Sequence, residues 1–180
     1  MLIRRARSLL LIVDIQERLA PAILNADAVV ANATKLIQAA QHLSVPILAS
    51  EQYPKGLGHT VPTLQEKLPP DAVFEKTHFS CFGEAGFAER LRQTQRDQII
   101  ICGMEAHVCV LQTAMDIQLA GLNVMVVADG VSSRRADSRE LGIARMRDAG
   151  ISIVSTEMVL FEWIGEAGTA EFKSLLSLIK

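Results

Sequence analysis

Several features that mark secreted, membrane-bound or nucleic-acid-binding proteins are scarce or missing in this chain. It has three cysteines, an odd number, and no CxxC pair, so neither a disulfide framework nor a zinc ribbon is expected. No apolar run approaches the roughly 18–20 residues that a membrane span requires. The formal net charge of −2 gives no electrostatic basis for binding nucleic acid or an anionic membrane. These absences predict a cytoplasmic protein without a nucleic-acid or membrane partner.

Length and composition predict one globular domain over residues 1–180. Apolar residues make up 49% of the chain and charged residues 21%, which is typical of a folded protein with a substantial core. The sequence shows no internal repeat, linker or low-complexity tract. We therefore look for a single site within a single domain.

Predicted strands and helices alternate along the chain. Ser8–Val13 is a continuous apolar run, which is typical of a strand buried on both faces of a parallel sheet. Such alternation predicts an α/β protein: a three-layer α/β/α sandwich with a mostly parallel, six-stranded, Rossmann-like sheet. The further strands are expected at 45–49, 72–74, 99–101, 123–128 and 151–154, the helices at 28–43, 86–93, 106–119, 137–149 and 171–179, and a long surface loop at 51–70.

A cysteine follows one of these strands at the start of a helix. The β-branched strand 99–101 is broken by Gly103, and helical spacing begins within a few residues, so Cys109 falls near a helix N-terminus. Unpaired backbone N–H groups and the positive end of the helix dipole favour a thiolate there. Open α/β sheets also bind ligands at this edge. The alternative is that Cys109 is a small apolar residue of the core.

Two charged residues end other strands, and parallel strands end at the same edge. Asp14 follows the first strand and Lys76 follows the third. Together with Cys109 they form a coherent set, in which Asp14 accepts the thiol proton and Lys76 stabilises the anions. Taken singly, Asp14 is equally consistent with a cap or turn residue and Lys76 with a solvated lysine.

Several separated motifs resemble one known family, and they occur in its order. They are LLIVDIQ, SEQYPKGLGHTVPTL, FEKTHFSCF, CGMEAHVCVLQTA and ADGVSSR. The sequence is similar to the isochorismatase-like cysteine hydrolases, and more specifically to their isochorismatase domain-containing branch. The similarity extends from about Ser8 to the C-terminus.

The resemblance implies both a mechanism and an assembly. Asp14, Lys76 and Cys109 correspond to the base, lysine and nucleophile of the family. A cis peptide bond is expected at Met104–Glu105, which would turn the Glu105 N–H toward the substrate to form an oxyanion hole with the Cys109 N–H. The implied reaction is hydrolysis of a small molecule's amide-like or ester-like bond through a covalent acyl-enzyme. A homo-oligomer (dimer, tetramer or larger) is also implied.

The chain departs from its metal-binding relatives. Nicotinamidases of the family carry an Asp-x-His pair where this sequence has Glu51, Gln52 and Tyr53, and His59 alone does not make a site. We therefore expect neither a metal nor another cofactor. The presence of Cys109 argues against isochorismate itself as substrate, since members that cleave it often lack the cysteine. Gln16, Tyr53 and Met104 are the residues expected to bind the substrate.

Two other functions are compatible with the sequence. The chain could keep the fold as a non-enzymatic interaction protein, because fold does not determine function. A redox role through Cys109 and Cys81 would require the two sulfurs to come within disulfide range. His107 is not expected to pair with Cys109, since helical residues two apart point in different directions.

Overall fold

Six strands form one sheet in the computed structural model, which describes residues 1–179. They are β1 (Ser8–Val13), β2 (Ile47–Gln52), β3 (Val73–Lys76), β4 (Gln98–Met104), β5 (Asn123–Ser132) and β6 (Ser152–Val154). The strand order is β3-β2-β1-β4-β5-β6, and every neighbouring pair is parallel. The predicted six-stranded α/β sheet is confirmed.

Helices cover both faces of this sheet. The α-helices are α1 (Ala26–His42), α2 (Pro54–Leu57), α3 (Pro62–Gln65), α4 (Phe87–Gln93), α5 (Leu111–Leu119), α6 (Ala136–Asp148), α7 (Thr156–Ile164) and α8 (Ala170–Ile179), and a π-helical turn occupies Ala106–Val110. One hydrophobic cluster joins the sheet to α1, α7 and α8, and a second joins it to α4, α5 and α6. This is the three-layer sandwich that the sequence predicts. Among the helices of residues 1–179, none has both the length and the apolarity needed to cross a membrane.

Strand β1 shows why the central strands are apolar throughout. Leu10 and Ile12 pack into the cluster of α1, whereas Leu9, Leu11 and Val13 pack into the cluster of α5. All five side chains are buried. Burying each of them contributes about 1.5–3 kcal/mol relative to exposure. A strand covered by helices on both faces therefore has no polar alternate positions.

The chain reverses direction across the sheet between β1 and β4. From β1 it proceeds through β2 to β3 at one edge, and from β4 through β5 to β6 at the other. In open α/β sheets this switch point is where ligands bind, beyond the carboxyl ends of the strands. Gly103 pairs with Val13 there, and a Cβ on Gly103 would lie 2.2 Å from the Val13 carbonyl oxygen. The missing side chain lets the ends of β1 and β4 approach closely.

The predicted boundaries differ from the structure in a few places. The expected loop 51–70 contains the end of β2 and the short helices α2 and α3. Strand β5 continues to Ser132 after a register shift against β4. The sequence reading missed α7, whose residues are mostly apolar and so lack the one-sided periodicity by which a surface helix is recognised.

Candidate active site

A buried ion pair lies at the switch point. Nζ of Lys76, the last residue of β3, lies 2.8 Å from Oδ2 of Asp14, which directly follows β1. The two side chains are 0% and 1% exposed. A charged pair so completely removed from water persists only when its remaining hydrogen-bonding capacity is also used.

The Lys76 ammonium has further acceptors. It donates to Oε1 of Gln52 at 2.6 Å and to the Phe79 carbonyl at 3.0 Å, with the His78 carbonyl at 3.3 Å. Gln52 ends β2, the strand between β1 and β3, so its amide bridges the gap that the lysine crosses. The ammonium is thus fixed in position and cannot rotate toward solvent.

Asp14 is held equally firmly. Its backbone is left-handed, with φ of 53°, and its N–H donates to the Ser50 carbonyl at 3.1 Å. The Ser50 hydroxyl donates to Oδ1 at 2.7 Å, while Oδ2 faces Lys76. An Asp adopts the left-handed region more readily than most residues, although still at some cost. The turn points the carboxylate back across the ends of the sheet.

Cys109 lies on the π-helical turn that follows β4. This turn begins after Glu105, whose backbone carbonyl accepts hydrogen bonds from Val108 N–H at 2.9 Å and Val110 N–H at 3.4 Å. The negative charge of Asp14 acts on the Cys109 thiol and raises its pKa, which indicates that the two side chains lie near each other. Cys109 is 6% exposed. The acid, the amine and the thiol therefore meet at one point of the sheet edge.

Burial governs the protonation of the site. Burial raises the pKa of Asp14, while the Lys76 ammonium and the Ser50 hydroxyl act in the opposite direction. Burial also raises the pKa of the Cys109 thiol, and the negative charge of Asp14 raises it further. Burial thus favours the protonated thiol, while Lys76 and Ser50 favour the ionised carboxylate, as expected of a nucleophile beside its general base.

Two expectations are corrected by this geometry. The thiolate expected from the helix terminus is not supported, because burial and the negative charge of Asp14 both raise the pKa of the Cys109 thiol. The peptide bond between Met104 and Glu105 is trans, not cis, since residues 1–179 contain no cis peptide bond. Glu105 instead takes a left-handed backbone, with φ of 59° and ψ of 64°, to leave the strand.

The residues expected to bind substrate have different surroundings. The Gln16 amide donates to the Gln52 and Gly58 carbonyls and accepts from Gln52 N–H, and Met104 lies in the core at 0% exposure. Both contact the chain itself, which does not support a role in substrate binding. Tyr53 is 54% exposed and lines a cavity of about 310 Å³ next to Lys76. Neither Asp14 nor Cys109 lines that cavity, so the structure does not place Tyr53 at the Cys109 site.

The remaining polar candidates serve other contacts. Nδ1 of His59 lies 2.9 Å from Oε2 of Glu51, whose other oxygen accepts from Thr60. Within residues 1–179, no three His, Cys, Asp or Glu side chains come together as metal ligands would. His107 faces Ser133 and Glu105, as expected of a residue that does not pair with Cys109.

Burial likewise raises the pKa of the other two thiols, to about 11 for Cys81 and about 12 for Cys102. Each is a buried free cysteine with a thiol that stays protonated near neutral pH.

Sequence reasoning missed the supporting residues Ser50 and Gln52. Both lie on β2, and nothing in ILASEQ distinguishes them from ordinary strand-end polar residues. They could be recognised only from the strand order, which puts β2 between the strands that carry Asp14 and Lys76.

Comparison with known proteins supplies independent information. Residues 8–158 match the family model described as Isochorismatase domain. Isochorismatase domain-containing protein 2 of Danio rerio is 39% identical over 173 residues, which cover 96% of this chain and 86% of that protein.

Two solved structures have the same fold as this chain. A structure described as MAR1 ribonuclease from Caenorhabditis elegans superposes with a TM-score of 0.93 at 39% identity, covering 99% of this chain and 92% of that one. The YcaC gene product of Escherichia coli, described as an octameric hydrolase of unknown specificity, superposes with a TM-score of 0.92 at 22% identity, covering 99% and 90%. At that identity the second match shows the fold alone.

Proposed function

This chain belongs to the isochorismatase family, and from that premise we propose that it is a cysteine-dependent hydrolase of an amide-like or ester-like bond in a small molecule. Family membership supports a hydrolase. The observation that supports the finer proposal is the buried ion pair of Asp14 with Lys76 at 2.8 Å, near enough to Cys109 for the charge of Asp14 to raise the pKa of the thiol.

Acylation begins with proton transfer between the two side chains. The Cys109 sulfur attacks the substrate carbonyl carbon as its proton passes to the Asp14 carboxylate, and the carbonyl electron pair moves onto oxygen. When the tetrahedral intermediate collapses, the bond to the leaving nitrogen or oxygen breaks. The leaving group takes the proton from Asp14, which leaves a thioester on Cys109.

Deacylation reverses the proton path. Water attacks the thioester while Asp14 takes one of its protons, and the carbon–sulfur bond breaks. The sulfur recovers that proton and the acid product leaves. Lys76 keeps Asp14 available as an anion through both halves, because its ammonium favours the charged form of the buried carboxylate.

Hydrogen-bond donors must stabilise the negative charge that develops on the substrate's carbonyl oxygen. We assign this role to the backbone N–H of Cys109 in the π-helical turn; the trans bond at Met104–Glu105 removes the reason for expecting the Glu105 N–H to join it. Loss of one such donor typically lowers turnover by about 10²–10³. Tyr53 is exposed beside Lys76, and its contact with the substrate stays a prediction from the sequence. We also propose that the protein forms a homo-oligomer. Sedimentation of the purified protein tests this proposal.

A substrate panel tests the proposal. The panel contains small amides, ureas and esters, together with a short RNA because a similar structure carries a ribonuclease name. Wild type is compared with Cys109→Ala and with the control Cys102→Ala, which removes a buried thiol of the core. We expect wild type and Cys102→Ala to hydrolyse at least one small substrate that Cys109→Ala does not.

Two outcomes would contradict the proposal. Hydrolysis by Cys109→Ala at the wild-type rate would exclude the thiol as nucleophile. Absence of any turnover above that of Cys109→Ala across the panel would favour the non-enzymatic alternative.

A further inference from the structure

A second polar cluster adjoins the turn that carries Cys109. Nε of Arg134, from the segment between β5 and α6, lies 2.5 Å from Oε1 of Glu105. Nδ1 of His107 lies 3.1 Å from the other carboxylate oxygen and 3.0 Å from the Ser133 hydroxyl. None of these side chains has a part in the proposed reaction, so the cluster requires its own explanation.

Glu105 stands at the junction between strand and turn. Its backbone carbonyl accepts from both Val108 and Val110, the residues on either side of Cys109. Its own φ of 59° is in the left-handed region, which costs a residue with a side chain about 1–3 kcal/mol. Any relaxation of Glu105 toward an ordinary conformation would turn its carbonyl away and change the path of the turn.

The Glu105 side chain is the part that can prevent this relaxation. It is 9% exposed, and within residues 1–179 its buried Oε2 makes no hydrogen bond. The geometry toward His107 does not provide one, although the two atoms lie 3.1 Å apart. The Arg134 guanidinium therefore supplies a direct hydrogen bond to a buried carboxylate that has few other partners.

Helix α6 supports the turn from the same side. A Cβ on Gly142 would lie 2.9 Å from the Ala106 carbonyl oxygen and 2.9 Å from Cα of His107. The backbone of the turn thus packs directly on α6, and Arg134 lies just before this helix. The ion pair and the close contact hold the turn at two points.

We propose that the Glu105–Arg134 ion pair is a positioning device for the nucleophile. Arg134 fixes the Glu105 side chain, Glu105 fixes the path of the π-helical turn, and the turn presents the Cys109 sulfur to Asp14. The proposal rests on the proposed role of Cys109. Neither Glu105 nor Arg134 touches the reacting atoms through its side chain.

The test uses Arg134→Met with Arg135→Met as a matched control. Arg135 is the adjacent arginine, it is exposed, and it pairs with Asp137 rather than with Glu105. The probe is p-nitrophenyl acetate, whose acyl transfer to the protein is followed by nitrophenolate release. We expect Arg134→Met to lower kcat about tenfold with KM within about twofold, because a small displacement of the nucleophile costs rate without changing binding.

Two further variants separate positioning from general support. Arg134→Lys retains a cation for Glu105, and we expect it to recover about a third of the wild-type rate. Arg134→Met combined with Glu105→Met should be no slower than Glu105→Met alone, since both changes break the same contact. Wild-type kinetics in Arg134→Met, or full additivity in the double variant, would overturn the inference.

Amide hydrogen exchange provides a readout that does not depend on hydrolysis. In Arg134→Met the Val108 and Val110 amides, which donate to the Glu105 carbonyl, should exchange about tenfold faster than in Arg135→Met. Equal exchange in the two variants would contradict the positioning role. If wild type turns over neither this probe nor any member of the substrate panel, the proposed function fails while the exchange data still decide this inference.

Discussion

The Lys76 ammonium reaches across β2 to lie 2.8 Å from the Asp14 carboxylate. Gln52, on the intervening strand, accepts a second hydrogen bond from the same ammonium at 2.6 Å. Because both charged side chains are essentially inaccessible to water, removing either would leave the other buried without its partner.

Replacing Lys76 should therefore destabilise the fold as well as the site. We expect Lys76→Met to lower the free energy of unfolding by about 3–5 kcal/mol near neutral pH, measured by urea denaturation. The control Lys55→Met changes an exposed lysine and should alter stability by less than about 0.5 kcal/mol.

The loss in Lys76→Met should depend on pH. Lys76 lowers the pKa of Asp14, so its removal raises that pKa further above the unfolded value. A carboxylate whose pKa is higher in the folded state than in the unfolded state lowers the free energy of unfolding at pH values where it is ionised in the unfolded state. This loss disappears at pH values where the group is protonated in both states. The deficit should shrink as pH falls toward about 4. A deficit that is constant with pH would contradict the assignment of the cost to Asp14.

The Ser50 hydroxyl should set where activity is lost in acid. It donates to Oδ1 of Asp14 at 2.7 Å and so favours the ionised carboxylate that acts as base. Ser50→Ala removes this donor, which raises the pKa of Asp14 and moves the acid limb of the kcat/KM profile to higher pH. The control Ser132→Ala removes a hydroxyl that donates to the Leu24 carbonyl, and it should leave that limb unchanged. Coincident profiles of Ser50→Ala and wild type would argue against Asp14 as the base.

Asp14→Asn should separate thiol reactivity from turnover. The negative charge of Asp14 raises the pKa of the Cys109 thiol, so neutralising it lowers that pKa. For each unit by which the pKa falls, the thiolate fraction rises about tenfold and the intrinsic nucleophilicity of the sulfur falls about threefold. Alkylation therefore becomes about threefold faster. Iodoacetamide should label Cys109 faster in Asp14→Asn, as measured by peptide mass spectrometry, while hydrolysis is lost with the base. Slower labelling together with lost hydrolysis would indicate that the variant is misfolded or that Asp14 does not raise the pKa of the Cys109 thiol.

The sequence predicts those parts of the molecule that follow from local pattern and strand direction. The apolar run at Ser8–Val13 and the alternation of elements predict the parallel sheet, since a strand buried on both faces has no polar alternate positions. That Asp14, Lys76 and Cys109 come together follows from the shared carboxyl edge of parallel strands.

Other features depend on backbone geometry that residue types do not reveal. The left-handed Glu105 and the π-helical turn replace the expected cis peptide and regular helix start, and the sequence GMEAHVC contains no signal for them. Burial and the negative charge of Asp14 raise the pKa of the Cys109 thiol. Electrostatic effects of this kind appear only once the neighbouring strands are known.

Mass spectrometry of the protein during turnover tests most directly whether the Cys109 sulfur carries the acyl group. Wild type is mixed with p-nitrophenyl acetate, quenched in acid during the first turnovers, and digested. We expect one acetyl group on the peptide containing Cys109, its loss on incubation with water before quenching, and no such adduct in Cys109→Ala. Steady hydrolysis without an acetylated Cys109, or an acetyl group that forms there and never turns over, would contradict this expectation.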